Sequence, residues 1–162
     1  YVFCCFTGLS FTDMKNLTKD NVQTSFDGKL WIMTKRQKTG VESNIMLMDI
    51  PLRIIEKYDG MAKENYLLPV PQYITACKNL KTIIGLCGIE KNITWHTSRH
   101  TMATEICLTN GVPIETLSKM LGHTNIRTTQ IYAKITHEKE SRDMNSLSDK
   151  LSRIEQFSGI II

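Results

Sequence analysis

The sequence predicts an α+β fold, mainly helical, with one small three-stranded antiparallel sheet. Three observations carry that expectation. Residues 21–34 alternate about Asp27 and Gly28, and a strand-like run follows a polar turn. In the remainder, Thr or Pro opens the apolar-periodic segments and Gly closes them. With 162 residues, 41% of them apolar and 22% charged, the whole chain, 1–162, is expected to form one domain, with 136–162 as a C-terminal tail helix.

The elements follow in order. Tyr1 to Phe6 (YVFCCF) is too short for a membrane span and lacks the basic flank of a signal peptide. It reads as the cut end of a helix in a fragment, without an initiating Met. Ser10, Thr12 and Asp13 are cap residues for a short helix through Leu17. Asn21 to Phe26, a two-residue turn at Asp27-Gly28, and Lys29 to Thr34 make a hairpin. A second polar turn, Lys35 to Gly40, leads to a third strand, Ser43 to Met48, and Pro51 marks entry to a helix towards Tyr58. Pro71 opens a helix to about Leu86, which Gly88 stops. Thr94 caps one that carries His96 to Thr109 and ends at Gly111. Pro113 opens another to Leu121, closed by Gly122. Short helices carry Thr128 to Lys134 and Thr136 to about Gln156.

A net charge of +4 permits a polyanionic partner without requiring one. Cys4, Cys5, Cys77, Cys87 and Cys107 are odd in number and contain no CxxC pair, which points to free thiols in a reducing, cytoplasmic compartment.

His96, Arg99 and His100 (HTSRH) stand at i, i+3 and i+4, so one helical face presents all three. An arginine fork matches phosphate oxygens in geometry and charge, and a neighbouring imidazole can donate to the same oxygen or move a proton. Such a trio also arises on solvated helix faces. His123 follows Leu121 and Gly122, where glycine turns the chain away from the helix axis, and Tyr132 comes nine residues later. Taken singly, each has an ordinary structural reading, as does Lys38 in the turn RQKTG. The ordered set changes that.

HTSRH, LGHTNIRTTQIY and the earlier FTGLSFTDMKNLT resemble the boxes of the tyrosine recombinase (phage integrase) family, with a likeness to integrases of Bacteroides-type mobile elements. The resemblance runs from the first residues to about Lys134. It implies a catalytic domain that cleaves and rejoins DNA through a 3′-phosphotyrosyl link. Position by position, it implies Tyr132 as nucleophile, Arg99 as clamp on the scissile phosphate, and His96 and His123 as phosphate ligands or proton-transfer groups. His100 would be more structural, and Lys38 would be the general acid for the departing 5′ oxygen. Double-stranded DNA is the implied partner, in a homotetramer tied by exchanged tails, with accessory DNA-bending proteins, in a bacterial cytoplasm. The apolar stripe Met144, Leu147, Leu151 and Ile154 suits either packing on its own domain or such an exchange. The upstream DNA-clamping domain that such enzymes usually have is expected to be missing. No metal or other cofactor is implied, because guanidinium and imidazole groups supply the electrostatic stabilisation.

One position departs from the family pattern. Most members carry arginine directly after TGL, where this chain has Ser10. Arg36, two positions before Lys38 on an extended segment, is the candidate replacement, while Asp13 is expected to hold local structure. Two rival readings remain. His96 and His100 have zinc-ligand spacing, with His123 or Glu115 as a third ligand, but Thr97 stands where an HExxH hydrolase has Glu. The other is a weakened recombinase homologue retained as a DNA-binding module.

Overall fold

The structure is a computed structural model that describes residues 1–133 and 137–158, with the backbone alone at 137–139 and 154–158. The chain divides into two units, Tyr1–Tyr132 and Ala133–Ile162.

In the first unit, α1 (Val2–Thr7) ends at Gly8, whose φ of 67° lies in the left-handed region and whose N–H returns to the Cys4 carbonyl. A Cβ there would lie 2.7 Å from Leu121 Cδ2. Glycine is therefore required both by conformation and by space. α2 (Phe11–Lys15) starts under Ser10, whose Oγ accepts the Asp13 N–H.

After a 3₁₀ turn (Lys19–Asn21) come β1 (Val22–Thr24), β2 (Leu30–Lys35) and β3 (Glu42–Met46), antiparallel in the order β1-β2-β3. Ile32 faces Ile45 across β2 and β3, and both are fully buried. Removing each from water stabilises the fold by about 1.5–3 kcal/mol. The first hairpin differs from the expected two-residue turn. Ser25 N–H bonds to the Lys29 carbonyl and Gly28 N–H to that of Ser25, so Phe26, Asp27 and Gly28 form the loop. A two-residue type I′ turn needs positive φ at both central positions, and Asp27 does not adopt it; the longer loop confines it to Gly28, at 72°. β3 stops before Met48 because that residue takes up the extended N-cap position of the next helix.

α3 (Asp49–Tyr58) accepts Pro51 in its first turn, where amides have no intrahelical acceptor. α4 (Tyr73–Leu86) follows Pro71, and α5 (Trp95–Thr101) starts under Thr94 in a reciprocal capping box with Thr97. The helix expected to run on to Thr109 changes character. From Met102 to Leu108 it widens into a π-helix, with Thr109 N–H bonded to the Thr104 carbonyl. The Thr101 and Thr104 hydroxyls donate to the carbonyls of Thr97 and His100 on either side of the transition, competing with the amide ladder there. α6 (Ile114–Met120) and α7 (Arg127–Gln130) complete the unit; α7 stops at Gln130, with a turn at Ile131 and Tyr132 where the helix was expected to continue, and Lys134 lies outside the described residues.

α1 packs against α3, α5 and the π-helix, while α6 packs against β3 and α7. Two hydrophobic clusters result. The larger holds Phe3, Leu17, Ile32 and Ile45; the smaller holds Met102, Leu117, Leu121 and Tyr132, and Met120 touches both.

The second unit contains α8 (His137–Ser158), on which Met144, Leu147 and Leu151 are exposed. Thr136, the Ile154 side chain and residues 159–162 lie outside the described residues. No described helix is long and apolar enough to cross a membrane.

Candidate active site

Arg99 is the centre of the site and is only 3% exposed. Its Nη1 donates to the Gly8 carbonyl, and its Nη2 donates to the Leu121 carbonyl and to His123 Nε2, the last at 3.1 Å. Its buried Nε–H has no partner among the described residues. Burial pulls the guanidinium down to about 10, and Arg36 acts in the same direction against Tyr132 and Asp13, so it remains charged at neutral pH. A buried donor left without a partner costs about 1–3 kcal/mol, so this N–H is open to an incoming acceptor.

His123 lies just beyond Gly122, which turns the chain at φ 59°. Its Nδ1 is 2.8 Å from Thr129 Oγ1. On the opposite side of the ring its Nε2 faces Arg99 Nη2. Burial, followed by the charges of Arg99 and Arg36 and then His96, pushes the imidazole down to about 4. His123 is therefore neutral at pH 7.

Tyr132 is buried, with its ring edge-on to His100 at 4.7 Å and within 13° of parallel to His123 at 6.4 Å. His100 in turn meets His96 edge-on at 5.0 Å. The Tyr132 hydroxyl also supports the charged form of Arg99 by a hydrogen bond. The five residues of HTSRH, LGH and IY that sequence analysis singled out thus meet at one place, as the helical spacing of α5 and the Gly122 turn require.

The loop between β2 and β3 supplies two more cations. Arg36 N–H bonds to the Val41 carbonyl at 2.8 Å, Gln37 N–H to Asp13 Oδ1 at 2.9 Å, and Thr39 Oγ1 to the Gly122 carbonyl at 3.2 Å. The loop is tied at once to α2 and to the glycine preceding His123. Arg36 lowers the pKa of Arg99, His96 and His123, and Lys38 contributes to that of His96, whose own largest cause is burial. Arg36 Nε is a second buried N–H without a partner among the described residues. Lys38 is exposed. Ser10 adds no cation: its hydroxyl accepts the Asp13 N–H and donates to Asp13 Oδ2 at 2.7 Å.

The groups that hold these residues were not legible in the sequence. The Gly8 and Leu121 carbonyls were illegible because any residue supplies a carbonyl. Thr129 carried a signal in TTQIY, three positions before Tyr132 and so on the same turn. Glu115, considered as a third zinc ligand, is exposed on α6, and among the described residues no group of three His, Cys, Asp or Glu is arranged to hold a metal ion.

The chain is 46% identical over 61 residues to the tyrosine recombinase XerD of Lacticaseibacillus casei, covering 38% of this chain and 20% of that protein. It is 29% identical over 153 residues to a tyrosine recombinase of Pseudothermotoga lettingae, covering 88% and 50%. It thus spans between a fifth and a half of the length of these relatives. The fold matches a crystal structure of XerA recombinase with a TM-score of 0.72 at 22% identity, over 91% of this chain and 56% of that one. It matches XerH site-specific recombinase bound to palindromic difH substrate, a post-cleavage complex, with a TM-score of 0.68 at 17% identity, over 88% and 43%. The catalytic domain of bacteriophage HP1 integrase aligns with a TM-score of 0.62 at 22% identity, over 91% and 82%. With residues 2–139 matching the family as a whole, the chain belongs to the phage integrase family.

Proposed function

We propose that this chain cleaves and rejoins DNA strands as the catalytic domain of a site-specific tyrosine recombinase, with Tyr132 as the nucleophile. The observation that carries the reading is that Arg99, bonded to the Tyr132 hydroxyl, and His123, stacked beside the Tyr132 ring, lie in one cluster with Arg36 and His96. A phenol with an ordinary pKa of about 10 is a poor nucleophile at neutral pH, so a site that uses it must stabilise both phenolate and the extra phosphate charge. Fixed guanidinium groups do both. Tyr132 Oη bonds to phosphorus, the P–O5′ bond breaks, and Lys38 gives the departing oxygen its proton. The 3′-phosphotyrosyl ester conserves the bond energy, and a partner 5′-hydroxyl reverses the step without ATP.

Arg36 takes the place of the arginine that the family pattern has at the Ser10 position. The unpartnered Nε–H groups of Arg36 and Arg99 are the donors available to a phosphate oxygen. Relatives solved with DNA, the XerH complex and the Tn1549 transposon integrase with circular intermediate DNA, support double-stranded DNA as substrate. A tetramer on DNA linked by tail exchange through α8, accessory DNA-bending proteins, a further DNA-clamping domain, a mobile-element setting and a bacterial cytoplasm belong to the same proposal.

The test is a covalent adduct on nicked suicide duplexes with randomised core sequence, resolved on a denaturing gel. The adduct is expected with the parent chain and absent with Tyr132→Phe, while both retard DNA equally. The commitment of the Ser10 hydroxyl to Asp13 favours a second reading, a homologue that binds DNA without cutting it. DNA retardation with no adduct on any duplex would establish that one instead.

A further inference from the structure

His123 can serve a phosphate in two opposite ways, according to which ring nitrogen carries its proton. Thr129 is fully buried on α7, and its two functional groups point to the two halves of the site. Its hydroxyl lies 2.8 Å from His123 Nδ1, and its carbonyl accepts the Tyr132 N–H at 3.0 Å. On the other side of the ring, Arg99 Nη2 faces Nε2 at 3.1 Å and can only donate. We propose that Thr129 is a positioning residue that fixes His123 as the Nδ1–H tautomer, so that Nε2 meets the phosphate site as a proton acceptor.

The charged groups around the ring favour its neutral form. Arg99 and His96 face it from α5, Arg36 from the loop after β2, and the Tyr132 ring stacks beside it. Two guanidinium ions disfavour an imidazolium in the resting site, and the Thr129 hydroxyl satisfies the one N–H that a neutral ring retains. When a phosphate enters, one of its oxygens takes over the Arg99 N–H and Nε2 is released. As the Tyr132 Oη–P bond forms and the P–O5′ bond breaks, the phenolic proton passes to Nε2 and the 5′ oxygen takes its proton from Lys38. Rejoining returns both. The tautomer rests on geometry alone; the acceptor role rests on the strand-cleavage reading above.

The experiment is nitrogen-15 NMR of the imidazole rings of the 162-residue chain without DNA, the His123 signals being assigned by their loss in His123→Gln. In the parent and in Thr129→Ser, Nδ1 is expected to be protonated and Nε2 bare. Thr129→Val, which keeps the shape and removes the hydroxyl, is expected to populate the Nε2–H form. It should also cleave suicide DNA at least ~10-fold more slowly with an altered pH profile, as for other partners that orient a histidine, while Thr129→Ser restores both. An Nε2–H pattern in the parent overturns the proposal, and so does an unchanged pattern in Thr129→Val. If the valine variant fails to fold, the parent and serine patterns still decide. A parent chain with the Nδ1–H pattern that cleaves no DNA overturns the acceptor role through the strand-cleavage reading, and so separates the two failures.

Discussion

Gln37 donates its backbone N–H to the Asp13 carboxylate at 2.9 Å, joining the loop that carries Arg36 and Lys38 to the helix that follows the Gly8 turn. Asp13 is only 6% exposed and also accepts the Ser10 hydroxyl, so one carboxylate aligns two segments far apart in sequence. Asp13→Ala leaves the Gln37 N–H without its acceptor and removes a charge that favours the Arg99 cation. The expected loss of stability is about 1–3 kcal/mol, measured by urea unfolding. Adduct formation should fall further than stability explains, because the cationic loop loses its anchor.

Arg36→Ala tests the replacement for the arginine absent at Ser10. Because the Arg36 Nε has no partner among the described residues and its charge opposes that of Arg99, the variant should fold at least as stably as the parent. Removing a preorganised cation from the transition state costs about 10²–10³ in rate. Single-turnover cleavage should drop by that factor, with Arg36→Lys in between. Parent-level cleavage by Arg36→Ala would remove Arg36 from the site.

The pH dependence of folding follows from His123. Its pKa is held at about 4, below the usual 6.5, by burial first and then by Arg99 and Arg36. Above pH 6.5 the ring is neutral whether folded or unfolded. Between those two values the unfolded chain binds a proton that the folded chain refuses, so stability falls as the pH drops through this window. The lowered pKa of His96 acts in the same direction. Thermal melts across the window should show a shallower slope in His123→Gln than in the parent. An equal slope would mean that His123 is not held neutral.

The parts of the site carried by side-chain chemistry at helical spacing were legible in the sequence. His96, Arg99 and His100 share a face of α5 because the period of the helix leaves no alternative, and Gly122 signalled the turn that aims His123. The same reasoning recovered the antiparallel sheet, since Ile32 and Ile45 fall on the buried face only in the observed register. What could not be read depended on backbone groups and on competition among local bonds. The two carbonyls that hold Arg99 have no residue signature. The π-helix after Thr101 shares its periodic pattern with the α-helix that was expected, because apolar spacing does not reveal an amide ladder displaced by one residue. Ser10 carried two readings in sequence, a helix cap and the place of an absent arginine, and the structure has it as the cap of α2.

Gly8 provides the last test, because it separates conformational strain from damage to the site. At φ 67° an alanine is strained by about 1 kcal/mol, and its Cβ would lie 2.7 Å from Leu121 Cδ2 and 3.1 Å from Met102 Cγ. Leu121 and Met102 are each only 1% exposed, so neither has open space to move into. Overpacking of this kind adds about 1–3 kcal/mol. The Gly8 and Leu121 carbonyls both hold the Arg99 guanidinium, so relief of the clash displaces the clamp itself. Gly28, at φ 72° with open space around it, gives the comparison. Gly28→Ala should lose only the strain energy and leave cleavage unchanged, whereas Gly8→Ala should lose more stability and most of its cleavage rate. Equal melting shifts and equal cleavage in the two variants would show that the contact of α1 with Leu121 does not govern Arg99.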